Sequence, residues 1–446
     1  MTLYQKVLEN PEEFDFTISK LGERKYSSPI KCRKFATEDR VLFSQSEGAL
    51  RKLLDAGRPL PTYERAGPRE KIFHNPAGSH AAIVTCGGLC PGINDVIKGI
   101  VNTLYFDYGV TRIKGIRYGY RGFISEYGHE PVDLNPEVVD RIHEEGGTIL
   151  ASSRGSQDTG VICDTLHRLN INMLFCVGGD GTLRGAGEIA DELALRSQSI
   201  SVIGVPKTID NDLSFIGRSF GFETSVHSTA GTLTSAHIEA KGSLNGIGLV
   251  KLMGRDSGFI AAASSLANSV VNFCLIPEVS FELEGKRGLL NALEHRFESG
   301  KDHAVIVVAE GAGQQLFKNR PEIRDASGNV LKNDIGLFLK QEIARYFNKI
   351  DVPCSIKYFD PSYSIRSVPA FGGDAILCYG LAENAAHAAM TGCTNMVIGL
   401  MGKEFVHVPI KLATMERQTI DPDSYLSAAL HASTRQLQMM GPNYSS

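Results

Sequence analysis

The sequence contains no tryptophan, no long hydrophobic run and almost no excess of either charge. The missing tryptophan excludes nothing. No apolar run reaches the roughly 18 residues that would suggest a membrane span, so no transmembrane helix is predicted. Lys and Arg number 46 against 50 Asp and Glu, and the resulting net charge of -4 offers no field to hold a polyanion. Nucleic acid is therefore not an expected partner. The nine cysteines are scattered, odd in number and mostly set in apolar runs, as in a reduced cytoplasmic protein rather than a disulfide framework. Cys86 and Cys90 flank a glycine pair, but no second Cys/His pair follows at zinc-like spacing, which argues against structural zinc. The opening Met1 to Glu13 lacks the apolar stretch of a signal peptide, and the closing Asn443 to Ser446 matches no recognised address.

What is present points to a loop-rich α/β enzyme. With 446 residues, 46 of them glycine, the chain exceeds the size of one hydrophobic core, and two domains plus appendages are expected. From about His80 onward, short β-branched runs alternate with helical patterns, the rhythm of βαβ units around mostly parallel sheets. Candidate buried strands are Ala81 to Thr85, Arg112 to Ile116, Asn172 to Val177, Ser201 to Val205, Gly246 to Lys251, His303 to Ala309, Ser355 to Phe359 and Asn395 to Gly399. Apolar residues at three- and four-residue steps predict helices over Val96 to Tyr105, Leu183 to Ala194, Phe259 to Ala267, Leu289 to Phe297, Ile335 to Phe347 and Ile376 to Ala389. The first 75 or so residues lack this rhythm and read as an extension packed on the core. The irregular stretch Gly311 to Lys332, with Pro321, Asp325 and Gly328, reads as an exposed insertion.

Five segments carry the chemistry. The loop from Thr85 through Gly87, Gly88 and Gly92 to Asp95 joins a strand to a helix, where backbone N–H groups can approach a phosphate, although a tight turn without a ligand fits equally. Val177-Gly178-Gly179-Asp180-Gly181-Thr182 is sharper, because an Asp at a strand's carboxyl end among glycines suits a magnesium ion carrying nucleotide phosphates. Helix capping by Asp180 or Thr182 is the competing account, and capping does not require three glycines. Pro206-Lys207-Thr208-Ile209-Asp210-Asn211-Asp212 sets two carboxylates beside a Thr and a Lys, enough for a general base and help with a metal shell, or for a purely structural turn. Met253-Gly254-Arg255-Asp256 places a guanidinium just past a strand, where it can neutralise a transferring phosphoryl group or pair with Asp256 or another acid. Lys357 to Arg366 offers two cations for a sugar phosphate, with ordinary surface charge as the alternative.

Taken together, in this order and at these spacings, the five segments closely resemble the phosphofructokinase family, particularly its long ATP-dependent branch in trypanosomatids, plants and some bacteria. The resemblance covers roughly Ala81 to Leu412. It implies an α/β fold of two Rossmann-like domains with mostly parallel sheets plus an N-terminal extension. It also implies Mg²⁺-dependent transfer of the γ-phosphoryl group of ATP to the 1-hydroxyl of fructose 6-phosphate, a step of glycolysis. By the same resemblance, Gly88, Arg154, Gly155, Gly179, Asp180, Gly181 and Thr182 contact ATP, with Asp180 also at Mg²⁺. Asp210 is then the base at the 1-hydroxyl, Thr208 and Ile209 line the reacting groups, and Arg255 stabilises the transition state. Met253, Gly254, Glu310, Tyr363, Ser364, Ile365 and Arg366 hold the sugar, and Lys357 lies near its 6-phosphate. Such a division is physically sensible, since phosphoryl transfer asks mainly for alignment and charge compensation.

Two positions bear on the donor. In the family, Gly at position 181 leaves room for the nucleotide's α-phosphate, whereas pyrophosphate-dependent members place an Asp there. At position 207 simple bacterial ATP enzymes have Gly and pyrophosphate enzymes have Lys. This chain combines Gly181 with Lys207, the pairing of the long ATP-dependent branch, and a carboxylate against the α-phosphate would be the more direct veto. A pyrophosphate-dependent phosphofructokinase is the alternative. NAD and lipid kinases share the glycine–aspartate loop but leave Asp210, Asp212 and Met253 to Arg255 unexplained, and a non-enzymatic homologue would be expected to lose Asp180, Asp210 or Arg255. At Gly246 many relatives carry a basic residue that reaches a neighbouring subunit's sugar phosphate. Family members are usually tetramers with varied allosteric sites, so a homo-oligomer, tetramer or dimer, is expected, while no residue identifies an effector. The expected organisation is an extension over 1–79, a nucleotide-binding domain over 80–221 to which 374–413 returns, and a fructose 6-phosphate domain over 222–373 with 414–446.

Overall fold

The structure, a computed structural model, describes residues 2–31, 34–317, 323–324, 330–436 and 440. Pro321, Asp325 and Gly328 of the expected insertion, and the closing residues 443–446, lie outside the described residues. Two compact units emerge. One comprises Met1–Thr208, Leu213–Gly221 and Ser367–Arg417, and the other Ile209–Asp212, Phe222–Arg366 and Gln418–Ser446. All eight expected strands are present, each within one or two residues of its expected bounds.

The first unit is built on a nine-stranded sheet. Its centre is five parallel strands in the order Met396–Met401, Ser201–Pro206, Met173–Gly178, His80–Thr85 and Arg112–Ile116. Every residue of Met173–Gly178 and Ser201–Pro206 is buried, as in parallel strands covered on both faces, and for that reason they read as continuous apolar runs. The carboxyl ends of these strands carry the loops at 85–92, 178–182 and 207–208. Antiparallel strands finish both edges. On one side Glu404–Pro409 folds back on Met396–Met401 through a two-residue turn in which Gly402 takes φ 62°, a left-handed value suited to hairpins.

The amino-terminal extension does more than pack on this core. Residues Thr62–Arg65 pair with Glu404–Pro409, and Arg40–Leu42 pair with Thr62–Arg65, so the extension adds two strands to the sheet. Phe16 fixes it from beneath, with its ring 5.1 Å from Tyr63 and 5.7 Å from Phe215. Neither strand has a long β-branched run, and Thr62–Arg65, which joins both to the sheet, pairs with a partner more than 330 residues away.

The second unit holds four parallel strands in the order Phe273–Leu275, His303–Ala309, Gly246–Leu252 and Ser355–Phe359. The 20-residue helix Phe222–Lys241 lies on Gly246–Leu252 and leaves no periodic apolar signal in the sequence, because its buried face is Thr224, Ser225, Thr229, Leu233, Ala236 and Ala240 rather than a stripe of large apolar residues. Small residues allow close approach. A Cβ on Gly246 would sit 2.0 Å from the Ala240 carbonyl oxygen, and one on Gly248 2.5 Å from that of Ala236. No side chain fits at 246 in this backbone.

Candidate active site

In the first unit, three strand ends and Arg154-Gly155 bring their glycine-rich loops together. The loop after Thr85 is held by its backbone: Gly87 N donates to the Ser153 carbonyl at 2.9 Å, and Ser152 Oγ donates to the Gly87 carbonyl at 2.7 Å. Gly88 therefore lies beside the segment carrying Arg154 and Gly155, with Arg154 exposed and Gly155 at φ 97°. Lys207, only 5% exposed, reaches across from the neighbouring strand and donates from Nζ to the Gly88 carbonyl at 2.7 Å. Thr208 accepts at its carbonyl a hydrogen bond of 2.7 Å from Ser219 Oγ.

The second loop opens the helix Asp180–Leu195, whose N-cap is Gly179 with no side-chain cap. Asp180 is thus the first helical residue and not the cap that its residue type allows. Gly178 is required by packing, since a Cβ there would lie 2.2 to 2.4 Å from Thr182 side-chain atoms. Gly181 is not. A Cβ at 181 would meet no protein atom within 4 Å, so this glycine leaves open space where packing demands none. Asp180 is flanked by two guanidinium groups: Arg184 Nε donates to Oδ1 at 3.0 Å, and Arg417 Nη2 lies 3.6 Å from Oδ2. Arg184 could have been found by its helical i+4 spacing from Asp180. Arg417 carries no local signal, as it arrives from the far end of the chain.

In the second unit, Asp210 and Asp212 are 8% and 5% exposed, and Asn211 between them takes φ 53°. The loop is anchored through its backbone, with Ser257 Oγ donating to the Asp210 carbonyl at 3.2 Å and Gln418 N to the Asp212 carbonyl at 2.8 Å. Arg255 Nε lies 3.7 Å from Asp210 Oδ2. Asp256 is paired with Lys332.

The turn that aims Arg255 is strained. Arg255 itself takes φ 53°, sparsely populated for a long side chain, and follows Gly254 at φ 144°. Glu310 holds it by accepting from Arg255 N at 2.8 Å, and Gly311 permits the approach, since a Cβ there would be 1.9 Å from the Arg255 carbonyl oxygen. Met253 is half-buried at the turn's start.

The remaining candidates divide between contact and support. Lys357 is half-buried on Ser355–Phe359, in register with Gly248. Tyr363 is 75% exposed, and the Arg366 guanidinium sits 4.8 Å from its ring centre. Ile365, by contrast, is buried at 1% exposure, and Ser364 Oγ donates to the Pro361 carbonyl at 2.9 Å. Their side chains anchor the turn that presents Tyr363 and Arg366. Ile209 is likewise a buried side chain, at 6%.

Residues 80–389 match the family described as phosphofructokinase. The chain belongs to the phosphofructokinase family. An ATP-dependent 6-phosphofructokinase from Borreliella burgdorferi is 47% identical over 436 residues, covering 95% of this chain and 97% of the relative. A protein of the same name from Amycolatopsis methanolica is 43% identical, covering 92% and 93%, and one from Trypanosoma cruzi is 42% identical, covering 91% and 85%. Among solved structures, a pyrophosphate-dependent phosphofructokinase from Marinobacter aquaeolei superposes with a TM-score of 0.64 over 82% of this chain and 93% of its own. At 18% identity that likeness speaks to the phosphofructokinase fold alone.

Proposed function

We propose that the chain is an ATP-dependent 6-phosphofructokinase, a phosphotransferase that moves the γ-phosphoryl group of ATP to the 1-hydroxyl of fructose 6-phosphate. The observation that carries this reading is the pair formed by Asp210 and Arg255, a buried carboxylate and a guanidinium posed on separate anchored turns. Asp210 takes the proton of the 1-hydroxyl as the bond to phosphorus forms. Arg255 compensates negative charge on the phosphoryl group in flight. Their separation of 3.7 Å is longer than a charge-assisted hydrogen bond and leaves the two groups near enough to act on one reacting centre.

The second unit supplies the sugar site: Lys357 and Arg366 attract the 6-phosphate, Tyr363 and Glu310 with Met253 and Gly254 shape the sugar pocket, and Ser364 and Ile365 hold the turn. The first unit supplies the donor site, with Gly88, Arg154, Gly155, Gly179, Gly181 and Thr182 around ATP and Thr208 at its junction with Ile209. Asp180 would hold Mg²⁺. Its carboxylate fits a hard cation that takes its remaining ligands from phosphate and water, and Arg184 and Arg417 keep it oriented. When bound, the ion contributes compensation of phosphate charge.

ATP is favoured over pyrophosphate by the open space at Gly181, which is where the family leaves room for the α-phosphate. Lys207 does not oppose this, since its ammonium is engaged with the Gly88 carbonyl. The proposal extends to a cytoplasmic homo-oligomer, dimer or tetramer; among the described residues no helix is long and apolar enough to cross a membrane. Initial rates with ATP and with pyrophosphate as sole donor test the activity. Preference for pyrophosphate, or no turnover with fructose 6-phosphate, overturns it.

A further inference from the structure

In the first unit, phosphoryl transfer leaves one cluster of reactive side chains without a task. Ser19–Lys20 and Cys393–Thr394 form a short antiparallel pair in which Lys20 and Cys393 are direct partners. Lys20 Nζ donates to both Glu64 oxygens, at 2.6 and 2.8 Å, and to Cys393 Sγ at 3.4 Å. His407 Nδ1 lies 3.1 Å from Glu64 Oε1, and Thr391 Oγ1 lies 3.5 Å from Sγ. Cys393 is fully buried, while a third of the Lys20 side chain faces solvent. Burial alone would push the thiol up, but His407 and Lys20 outweigh it and bring Cys393 down to about 7.

Glu64, Cys393 and His407 also place one ligand atom each within 4.8 Å of one another, as a metal site would. The place of the cation is already taken. The Lys20 ammonium bridges carboxylate and sulfur, and together with the His407 imidazole, which Cys393 and Glu64 favour in its charged form, it balances their charge without a metal.

We propose that Lys20 and Cys393 form an oxidative covalent cross-link, an S–N bond made under hydrogen peroxide. The Cys393 thiolate attacks one peroxide oxygen and breaks the O–O bond, giving a sulfenic acid and hydroxide. The hydroxide removes a proton from the Lys20 ammonium and leaves as water. The free amine then attacks the sulfenic sulfur, an S–N bond replaces the S–O bond, and the departing hydroxyl takes a second proton from nitrogen to leave as a second water. One thiolate, one ammonium and one peroxide become one sulfenamide and two waters, with sulfur oxidised by two electrons and peroxide reduced by two. The Lys20 and Cys393 charges are consumed together, and the Glu64 carboxylate that loses Lys20 keeps His407 at 3.1 Å. It ties residue 20 to a residue 373 positions along the chain.

The test uses the full-length protein, exposed to hydrogen peroxide and then digested for mass spectrometry. A peptide joining the segments around Lys20 and Cys393 is expected, lighter than the sum of its parts by about 2 Da and lost on treatment with dithiothreitol. Lys20→Arg keeps the charge and should convert the product to Cys393 sulfinic acid, while Cys393→Ser should abolish it, with circular dichroism confirming the fold of both. His407→Gln should slow the reaction. Oxygen added at Cys393 in wild type without a cross-link overturns the proposal, as does a cross-link that survives Lys20→Arg. A stoichiometric zinc ion in the purified protein that is lost with Cys393→Ser would also overturn it, in favour of a metal centre.

Discussion

Substituting Gly181→Asp separates donor recognition from folding, because the two effects have opposite signs. On the folding side nothing obstructs the new side chain, since no protein atom lies within 4 Å of the position its Cβ would take. Position 181 is the second residue of the helix Asp180–Leu195, where glycine costs about 0.5–1 kcal/mol of chain entropy relative to alanine and a negative charge gains about 0.3–1 kcal/mol from the helix dipole. Repulsion from Asp180 offsets part of this, so stability should stay within about 1 kcal/mol of wild type. On the donor side, a carboxylate about 4 Å from a phosphate charge costs about 1 kcal/mol in bulk water and about 4 kcal/mol at an effective dielectric near 20. Position 181 is exposed in the ligand-free chain, so both limits apply, and kcat/KM for ATP should fall by roughly 5-fold to 10³-fold. A coupled assay with ATP and with pyrophosphate, beside a thermal melt, reads both sides. Pyrophosphate turnover need not appear, because excluding one donor does not create complementarity to another. A Gly181→Asp protein that melts normally and retains ATP turnover within about threefold would refute the placement of the α-phosphate here.

Asp210→Asn should preserve nucleotide binding and lower kcat by roughly 10² to 10⁴, the range for loss of a positioned base; single-turnover kinetics within threefold of wild type would exclude that role. Arg255→Ala should lose on the order of 3 kcal/mol of transition-state stabilisation, seen in kcat rather than KM. Arg255→Gly should be equally inactive yet melt higher than Arg255→Ala, since glycine adopts φ 53° without the cost of about 1 kcal/mol that other residues incur; equal melting temperatures would show the turn to be unstrained. Lys207→Gly should keep ATP as the preferred donor but destabilise the fold by about 1–3 kcal/mol by removing the buried partner of the Gly88 carbonyl, as a denaturant titration would register. Burial pulls His74 down from 6.5 to about 4, so its neutral form is favoured in the fold. Its contribution is complete above pH 6.5 and is lost as pH falls toward 4, and His74→Gln should flatten chemical stability across that window.

Much of the site was legible because phosphate chemistry leaves a local imprint. Glycines and acids clustered at strand ends mark the loops 85–92, 178–182 and 206–212, and long buried runs such as Met173–Gly178 mark the parallel strands beneath them. Arg255 was legible as a cation past a strand, but its partner was not. Its approach to Asp210 depends on Glu310 and Gly311 setting the turn, and those residues come from elsewhere in the second unit. The same holds for Asp180 with Arg417, for the helix Phe222–Lys241 recognised through the glycines it packs on, and for the edge strands of the amino-terminal extension. Sequence by itself determined residue chemistry and the periodicity of local elements, because both are properties of neighbouring residues. Tertiary structure decided which charges beyond one helical turn are paired, which glycines leave empty space and which sequence-distant side chains, such as Lys20 and Cys393, lie in contact, because each depends on segments far apart in the chain meeting at a few ångströms.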